Sequence, residues 1–359
     1  MPRANYYGLI MAGGRGTRFW PQSRKTRSKQ VLRFFGDQSL IHQTVERLRP
    51  VLPPEHIWII TNEFLRDEIV RQLPQVPRKQ IIAEPAQRGT APCIGVAAHI
   101  LQSVDPNAVM GVFPADHLIL KPARYMRLLR RAFRSAAEGR LTVLGIQPKW
   151  VETGYGYIEF PKNVEAGSLE LIPVRSFKEK PKEAIARRYV KAGNYFWNAG
   201  MFFWRADVYL EALRLHQSKT ATVLAALPRF TDKAFSKVFK DSYALCDAES
   251  VDRGVLEKAA NIAGLAADDI GWSDVGSWNS VYQLADPVKD GNVARSEAVF
   301  EDSAGNFVDA GRKFVALLGI RNVVVVDTPD ALLIADRDRS QEVGKIVERL
   351  EAMKRDDLL

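Results

Sequence analysis

The chain has 359 residues, of which 46% are hydrophobic and 26% charged, proportions that are typical of ordinary globular domains. Its apolar runs fall short of the ~18 residues that a membrane-spanning helix requires, which argues against an integral membrane protein. The formal net charge of +9 is compatible with binding to a nucleic acid, to an acidic surface or to a phosphate-rich small molecule, and charge alone does not select among these.

The cysteines and the amino terminus indicate the compartment, and the histidines bear on the kind of metal site. The two cysteines, Cys93 and Cys246, are too few for a disulfide framework and match no zinc or redox spacing. The five histidines form no HExxH or Cys/His pattern, so a histidine-based metal site is not indicated. The amino-terminal residues lack the long apolar region of a signal peptide. We therefore expect a cytoplasmic protein.

In the first part of the chain, short apolar runs alternate with amphipathic stretches. The runs predict strands at 8–11, 57–61, 80–83, 109–113 and 141–145, and the stretches between them predict helices at 40–48, 64–73, 91–103 and 123–138. This order predicts an α/β fold of Rossmann-like type, with a mainly parallel sheet and helices on both faces. Ligands are then expected at the carboxyl ends of the strands.

The pattern loosens after residue 154. We predict strands at 155–160 and 174–178 and a helix at 182–191, and we interpret the aromatic block 195–204 as part of a substrate-binding extension. A polar stretch at 286–292 divides the chain into a large domain, 1–285, and a small β-rich domain, 286–359. Within the small domain we predict short strands at 314–318, 323–327 and 331–335 and a closing helix at 340–354, without a strict repeat.

The first predicted strand runs into a glycine-rich loop at residues 12–18. Glycines after a strand let several backbone N–H groups approach one anion, although a plain tight turn has the same composition. The loop lacks a Walker A lysine, and Phe19 stands where a GxGxxG motif needs glycine. Arg15 and Arg18 in the loop, and Lys29 downstream, favour a site for polyphosphate.

Two aspartates follow β-like runs and are candidate metal ligands. Asp116 lies just after the apolar strand 109–113, in the segment Phe113-Pro114-Ala115-Asp116, and Asp274 lies in the segment Trp272-Ser273-Asp274. Taken singly, such an aspartate is more often a turn or cap residue than a ligand. Together with the glycine loop, two hard carboxylates at strand ends predict a Mg²⁺ site. Thr90, ahead of the helix 91–103, is a candidate N-cap.

The run Gly13-Gly14-Arg15-Gly16-Thr17-Arg18-Phe19-Trp20, followed by Lys29-Gln30, resembles the nucleotide-sugar pyrophosphorylases, and in particular the branch that transfers GMP from GTP to mannose 1-phosphate. Ser28 and Gly89 stand where that branch usually has proline and asparagine. The resemblance implies a nucleotidyltransferase domain over 1–285, and a tail over 286–359 of the kind that often makes homodimer contacts. The chain ends before the isomerase domain that some longer relatives carry, so we expect a single activity.

The same resemblance implies roles for individual residues, which stay predictions at this stage. Arg15 contacts the leaving phosphates and Lys29 the reacting phosphate. The predicted nucleotide-binding residues are Ala12, Gly13, Gly14, Gly16, Thr17, Arg18, Glu84, Arg88 and Thr90. The predicted sugar contacts are Gly154, Glu179 and Asn198, with Lys180 on the sugar phosphate, and the predicted Mg²⁺ ligands are Asp116 and Asp274.

The expected reaction is attack of a sugar 1-phosphate on the α-phosphorus of GTP, with Mg²⁺ as the cofactor and without nucleic-acid or membrane partners. Alternatives remain open: a guanylyltransferase for another sugar 1-phosphate such as a manno-heptose, a relative that uses a different nucleoside triphosphate, or a non-catalytic regulatory relative. A nucleic-acid-binding protein built around the basic residues 24–29 is a further alternative, although interleaved aromatic residues are missing there.

Overall fold

The computed structural model describes residues 5–359, so the first four residues of the predicted large domain lie outside the described residues. The strands and helices predicted for the first part of the chain are confirmed, with ends that differ by two residues or less. In chain order the elements of this part are β1 (Tyr6–Ala12), α1 (Leu40–Leu48), β2 (Ile57–Asn62), α2 (Glu63–Gln72), β3 (Ile81–Glu84), α3 (Thr90–Val104), β4 (Val109–Pro114), β5 (Leu118–Ile119), α4 (Pro122–Ala137) and β6 (Leu141–Ile146). The two-residue strand β5 was not predicted.

The middle of the chain contains the two predicted strands in shorter form and the predicted helix shifted by one residue, together with further elements. In order they are β7 (Tyr157–Glu159), β8 (Ile172–Pro173), β9 (Ser176–Lys178), α5 (Glu183–Ala192), β10 (Tyr195–Arg205), α6 (Ala206–His216), α7 (Ser218–Ala225), α8 (Phe235–Ser242), β11 (Ile262–Ala267), β12 (Trp272–Ser273) and α9 (Trp278–Leu284). A π-helical turn spans Asp252–Leu256.

The main sheet has the strand order β3-β2-β1-β4-β10-β6-β11-β8. Strands β3, β2, β1 and β4 are parallel to one another, as are β6 and β11, which confirms the mainly parallel sheet. Strand β10 lies between these two groups and is antiparallel to both β4 and β6. Our interpretation of the aromatic block 195–204 as part of an extension is therefore incomplete, because this block forms a central strand. Its nearly continuous apolar run is typical of a strand buried on both faces.

Helices cover both faces of the sheet and form two hydrophobic cores. Successive residues of β1 point to opposite faces, so Leu9 packs into one core and Ile10 into the other, and both are fully buried. Because both faces are covered, the ends of the strands are where side chains can reach a ligand. Within residues 5–359, no helix is long and apolar enough to cross a membrane.

The last part of the chain winds into a small helical coil, in which mostly parallel strands lie on successive turns. It comprises β13 (Val293–Ala294), β14 (Ala298–Glu301), β15 (Phe307–Asp309), β16 (Val315–Leu318), β17 (Val323–Asp327), β18 (Leu332–Asp336) and α10 (Gly344–Ala352). Paired residues of adjacent turns lie 14 residues apart at one step and 17 at the next. This uneven spacing explains why the sequence shows no strict repeat.

This coil packs against the glycine-loop side of the sheet. Phe19, which follows the glycine loop, shares one hydrophobic core with Trp278 of α9, Phe307 of β15 and Val347 of α10. The predicted closing helix is confirmed over Gly344–Ala352, and the residues just before it form a 3₁₀ turn. The carboxyl-terminal helix therefore lies beside the predicted phosphate loop.

Candidate active site

The glycine loop is held in place by the two residues that follow it in the motif, Lys29 and Gln30. Gly16 has φ +61°, and a Cβ atom there would lie 2.6 Å from the Cβ of Lys29, so glycine allows the close approach of these segments. The buried Gln30 amide donates to the carbonyl oxygens of Ala12 (2.8 Å) and Gly14 (3.0 Å). These bonds fix the loop backbone, so its N–H groups are preorganised for an anion.

Lys29 connects the two predicted metal ligands. Its side chain is largely buried, and Nζ lies 2.8 Å from Oδ2 of Asp116. The same ammonium group donates to the backbone carbonyl of Asp274. Asp116 lies two residues after the end of β4, whereas Asp274 is brought to the same place by a short antiparallel pairing of β12 with β5. The structure thus brings together three of the residues that the motifs predicted, at the carboxyl end of the sheet.

The charge state of this cluster follows from its neighbours. Burial alone would raise the pKa of Asp116, but the neighbouring charges and hydrogen bonds, with Lys29 first among them, together lower the pKa, so the carboxylate is ionised. Burial lowers the pKa of His117, so this imidazole is neutral near pH 7. Its Nδ1 accepts a hydrogen bond from the indole of Trp272 (3.2 Å). The cluster therefore combines one buried cation with two carboxylates.

A cavity of about 470 Å³ opens at this cluster. Arg15, Thr17 and Arg18 of the glycine loop line one side, and Lys29, Asp116 and Asp274 line another. Helix α10 closes a third side with Val347, Glu348 and Glu351, and the carboxylate of Glu351 forms an ion pair with Arg15. A pocket lined by three cations and two strand-end carboxylates is suited to a polyphosphate with a divalent cation.

A second cavity, of about 430 Å³, continues from the first and shares Arg15 and Asp116 with it. The other lining residues include Ala12, Gly13, Gly14, Glu84, Arg88 and Thr90, all of which were predicted to bind the nucleotide. The Nε atom of Arg88 is buried and, within residues 5–359, has no hydrogen-bond partner. A buried donor of this kind is usually satisfied by a ligand or by water.

Glu84 is the one carboxylate of this second cavity besides Asp116. It ends β3, and its side chain accepts a hydrogen bond from the phenol of Tyr243. Burial raises the pKa of Glu84 to about 7, although the bond from Tyr243 acts in the opposite direction. Glu84 also lies beside Gly13, where a Cβ atom would approach its Oε2 to 3.4 Å. The carboxylate therefore faces the glycine loop.

The turn before α3 differs from the expected cap. Thr90 is the first residue of the helix and Gly89 is its N-cap, so the prediction of Thr90 as N-cap is wrong by one residue. Gly89 has φ +79°, and a Cβ atom there would lie 2.4 Å from the carbonyl oxygen of Glu249. Asparagine, which the resemblance leads one to expect, would collide there. Thr90 instead accepts a hydrogen bond from the backbone N–H of Val251 (2.8 Å).

Three of the residues predicted to bind the sugar phosphate, Glu179, Lys180 and Asn198, form a neighbouring cluster around Gly156. A Cβ atom on Gly156 would lie 2.7 Å from Oε2 of Glu179 and 3.3 Å from the Cβ of Asn198, so these side chains meet across a glycine. Lys180 Nζ lies 3.2 Å from the Glu179 carboxylate. Gly154 is exposed, and its N–H donates to the side chain of Glu152. Gly154 therefore lies outside the cluster that Glu179, Lys180 and Asn198 form around Gly156.

Several residues of these sites were not singled out from the sequence. Tyr155 donates to Oδ1 of Asp274 (2.7 Å), and burial together with that carboxylate raises the pKa of the phenol, so it stays protonated. Gln30, Gly156 and Tyr243 were also missed. The Lys-Gln pair and the Gly-Tyr-Gly run were signals for the first two, whereas Tyr243 lies 159 residues from Glu84 and has no local signature.

The fold and the strand-end cluster of cations and carboxylates define a nucleotidyltransferase, and the comparisons with known proteins agree. The chain belongs to the nucleotidyl transferase family, whose model matches residues 7–291. A second model, described as a MannoseP isomerase/GMP-like beta-helix domain, matches residues 296–350. Enzymes of the nucleotidyl transferase family generally use a divalent metal ion.

Individual relatives carry more specific names. A putative mannose-1-phosphate guanylyltransferase of Vibrio cholerae is 36% identical over 97% of this chain and 75% of its own length. A mannose-1-phosphate guanylyltransferase of Escherichia coli is 37% identical over 98% of this chain and 75% of its own length. A crystal structure from Thermus thermophilus, described as a mannose-1-phosphate geranyltransferase, matches 96% of this chain and 99% of its own with a TM-score of 0.84 and 31% identity.

The ion pair between Arg15 and Glu351 leads to a testable prediction about nucleotide binding. A triphosphate that binds the glycine loop must compete with Glu351 for the Arg15 guanidinium. Both side chains are partly exposed (45% and 38%), so the pair contributes at most ~1 kcal/mol. We expect Glu351→Gln to lower the KM for the nucleoside triphosphate about two- to fivefold in steady-state assays at low salt.

Glu348 provides the matched control for this experiment. It lines the same cavity from the same helix, and within residues 5–359 it forms no ion pair. Loss of negative charge near the phosphates would lower KM equally in Glu348→Gln and Glu351→Gln. Equal effects would therefore contradict a specific competition for Arg15.

Proposed function

We propose that this protein transfers GMP from GTP to α-D-mannose 1-phosphate, giving GDP-mannose and pyrophosphate. The observation that carries the proposal is the contact of Lys29 with Asp116 and Asp274, at the mouth of a cavity lined by the glycine-loop arginines. The names of the curated relatives support guanylyl as the transferred group and mannose 1-phosphate as the acceptor. The geranyl group in the name of the Thermus structure is apolar and fits this strongly charged cavity less well.

The reaction needs no general base. A phosphate monoester has a second pKa near ~6, so at neutral pH the sugar phosphate already carries a charged oxygen nucleophile. That oxygen attacks the α-phosphorus, and the bond to the pyrophosphate oxygen breaks in line with it. The barrier is mainly repulsion between anions and the charge that develops on the leaving group. Lys29 would stabilise the reacting phosphate and Arg15 the leaving phosphates.

We propose Mg²⁺ as the cofactor, with Asp116 and Asp274 as its protein ligands. Within residues 5–359 there is no cluster of three or more candidate ligands. Mg²⁺ is commonly held by one or two carboxylates, with phosphate oxygens and water completing an octahedron, so the two aspartates fit this cation. When bound, Mg²⁺ would neutralise charge on the phosphates and on the departing pyrophosphate. Tyr155 would hold Asp274 in position through its hydrogen bond.

The remaining residue roles are proposed on the same basis. The residues that line the second cavity would bind the nucleotide, and Gly154, Glu179, Lys180 and Asn198 would bind the sugar and its phosphate. Support for a sugar subsite near Asn198 comes from Gly200, two residues further on, where a Cβ atom would lie 3.7 Å from His117. The proposed sugar residues therefore adjoin the Asp116 cluster.

We also propose that the chain divides into two domains at 285/286. We further propose that the protein is cytoplasmic and forms a homodimer. Exposed apolar side chains on the β-rich domain, namely Phe314, Leu318 and Ile334, support an interface between two copies. Sedimentation of the purified protein tests this part of the proposal. A monomer at micromolar concentration would remove the dimer without affecting the proposed chemistry.

The decisive experiment measures pyrophosphate release for each nucleoside triphosphate with a panel of sugar 1-phosphates, with and without Mg²⁺. Strong Mg²⁺-dependent release with GTP and mannose 1-phosphate is the expected result. A preference for a manno-heptose phosphate or another nucleotide would replace the substrate and keep the mechanism. Silence with every pair would favour a non-catalytic relative.

Glu84 leads to a prediction about base selectivity. Guanine presents two donors, N1–H and the 2-amino group, which an ionised carboxylate can accept, whereas hypoxanthine lacks the amino group. We expect the wild type to prefer GTP over ITP about tenfold in kcat/KM, and Glu84→Gln to remove most of that preference. An exposed carboxylate, Glu165, provides the control substitution Glu165→Gln.

The pH dependence of the same ratio tests the charge state. Burial raises the pKa of Glu84 to about 7, so the carboxylate is ionised above this pH and protonated below it. The GTP/ITP preference of the wild type should therefore decline as the pH falls through about 7, while that of Glu84→Gln stays flat. Using the ratio cancels the titration of the triphosphate itself. A flat wild-type profile would contradict recognition by the Glu84 carboxylate.

A further inference from the structure

The side-chain amide of Asn198 is fixed by two hydrogen bonds. Its Nδ2 donates to Oδ1 of Asp252 (2.9 Å), and its Oδ1 accepts from the backbone N–H of Gly200 (3.0 Å). An asparagine amide has two N–H donors and two oxygen lone pairs. One donor and one lone pair therefore remain for a ligand, and Asp252 and the Gly200 N–H together determine which way they face.

Asp252 lies on a segment that also contacts the nucleotide cavity. We call residues 249–257 the substrate strap. At its start, Glu249 N–H donates to the carbonyl oxygen of Arg88 (3.0 Å), and Ala91 N–H donates to the carbonyl oxygen of Glu249 (3.1 Å). Two residues later, Val251 N–H donates to the hydroxyl of Thr90. The close approach depends on Gly89, where any Cβ atom would collide with Glu249.

The other end of the substrate strap reaches the sugar cluster. The carboxylate of Glu257 accepts a hydrogen bond from the backbone N–H of Glu179 (3.0 Å). The strap thus makes hydrogen bonds to the nucleotide turn at one end and, further along, to two of the predicted sugar contacts, Asn198 and Glu179. Asp252 stands in the middle of this chain of contacts.

Asp252 is an energetically unfavourable residue in this place. Burial, followed by the nearby Glu179 carboxylate, raises the pKa of Asp252 to about 7, while Asn198 and Lys180 act in the opposite direction. A buried acid beside a second acid destabilises the fold, and such groups are concentrated at functional sites. What Asp252 provides in return for this loss of stability is a specific contact, the hydrogen bond that it accepts from Asn198.

We propose that Asp252 is a positioning residue of the sugar subsite, which orients Asn198 for the sugar phosphate. The inference rests on the proposed function, because it takes Asn198 as a sugar contact. It assigns to Asp252 an indirect role: Asp252 acts on the substrate through the amide of Asn198. Its loss should then affect the sugar phosphate and leave GTP binding nearly unchanged.

A double-mutant cycle tests this indirect role. We expect Asp252→Ala to raise the KM for mannose 1-phosphate about tenfold or more, since the hydrogen bond that orients Asn198 is lost, and to change the KM for GTP less than threefold. Asn198→Ala should have a similar effect. In the Asn198→Ala background, Asp252→Ala should have no further effect, because the group on which it acts is already absent. Independent, multiplying effects would overturn the inference.

Two further variants separate positioning from folding. Asp252→Asn keeps an oxygen that can accept from Asn198, so we expect it to restore the KM for mannose 1-phosphate to within about threefold of wild type. Arg253→Ala changes the exposed neighbour on the same turn and should behave as wild type. If Asp252→Asn is as impaired as Asp252→Ala, or if both mainly lower kcat or GTP binding, Asp252 does not act through Asn198.

Failure of the proposed function is distinguishable from failure of the inference. A wild type that makes no GDP-mannose contradicts the proposed function, and the cycle is then run with the sugar phosphate that the pyrophosphate panel identifies. A wild type that is silent with every pair overturns both. An active wild type whose two alanine variants act independently overturns the inference alone.

Discussion

Asp116→Asn is expected to lower kcat by about two to three orders of magnitude while the protein remains folded. Asparagine has nearly the same shape as aspartate, so the surrounding packing is preserved, but the negative charge that faces Lys29 is lost. If Asp116 holds Mg²⁺, the neutral amide also weakens that site, which should appear as a higher Mg²⁺ concentration at half-maximal rate. Pyrophosphate release over a Mg²⁺ titration measures both effects.

The amide is a sharper test than alanine at this position. Lys29 is buried, and removing its charged partner together with the side-chain volume would leave an ammonium group beside a void. In Asp116→Asn the amide oxygen can still accept from Lys29, and the carbonyl of Asp274 remains its second partner. If Asp116→Asn unfolds at the same denaturant concentration as the wild type but has lost activity, the loss is due to the chemistry and not to unfolding.

A surface ion pair provides the control. Asp247 lies 2.9 Å from Lys219, nearly the same separation as Asp116 from Lys29, but both side chains are substantially exposed. Asp247→Asn removes an equivalent charge from an equivalent pair away from the cavities. It should keep the wild-type kcat. An Asp116→Asn variant within threefold of wild type in kcat would contradict the assigned role of this carboxylate.

Much of this site could be predicted because strand ends meet at one edge of a parallel sheet. The glycine loop follows β1 and Asp116 follows β4, and these two strands are hydrogen-bonded neighbours. A motif after one strand and a carboxylate after the next were therefore expected to lie together. Lys29 was found from the motif, and its position follows from Gly16, which lets the chain return against the loop.

Other parts depend on contacts that leave no local trace in a sequence. Asp274 reaches the cluster through a two-residue pairing of β12 with β5, which is too short to show a period. Glu351 comes from the last helix, 336 residues from Arg15. Strand β10 was interpreted only as part of a substrate-binding extension, because a strand buried on both faces has no alternation to detect.

The structure also explains why Gly89 stands where the related enzymes usually have asparagine. Gly89 occupies a backbone conformation with φ +79° and ψ −177°, which residues with a Cβ atom rarely adopt. The space that a side chain would fill is taken by the carbonyl of Glu249. The sequence showed the glycine, but its reason lies far along the chain, in the substrate strap.

Trp278→Ala is expected to lower the free energy of unfolding by about 3–5 kcal/mol, the cost of replacing a large buried aromatic side chain with alanine. Trp278 is fully buried, and its ring centroid lies 5.3 Å from that of Phe19, 5.8 Å from Phe34 and 5.7 Å from Phe307. The indole N–H donates to the carbonyl oxygen of Trp20 (3.2 Å). The side chain therefore joins the glycine-loop region to the β-rich domain.

Because of the position of Trp278, we also expect its replacement to affect GTP binding. Without the indole, Phe19 and Phe307 lose their common partner, so the loop and the coil should separate more readily and the KM for GTP should rise along with the loss of stability. Urea unfolding followed by circular dichroism measures the first effect, and steady-state kinetics measures the second. Trp150→Ala provides the control, because Trp150 is half exposed and packs on Trp197 instead. A loss below about 1 kcal/mol for Trp278→Ala, which is typical of surface positions, would contradict the role of this core in joining the two parts of the chain.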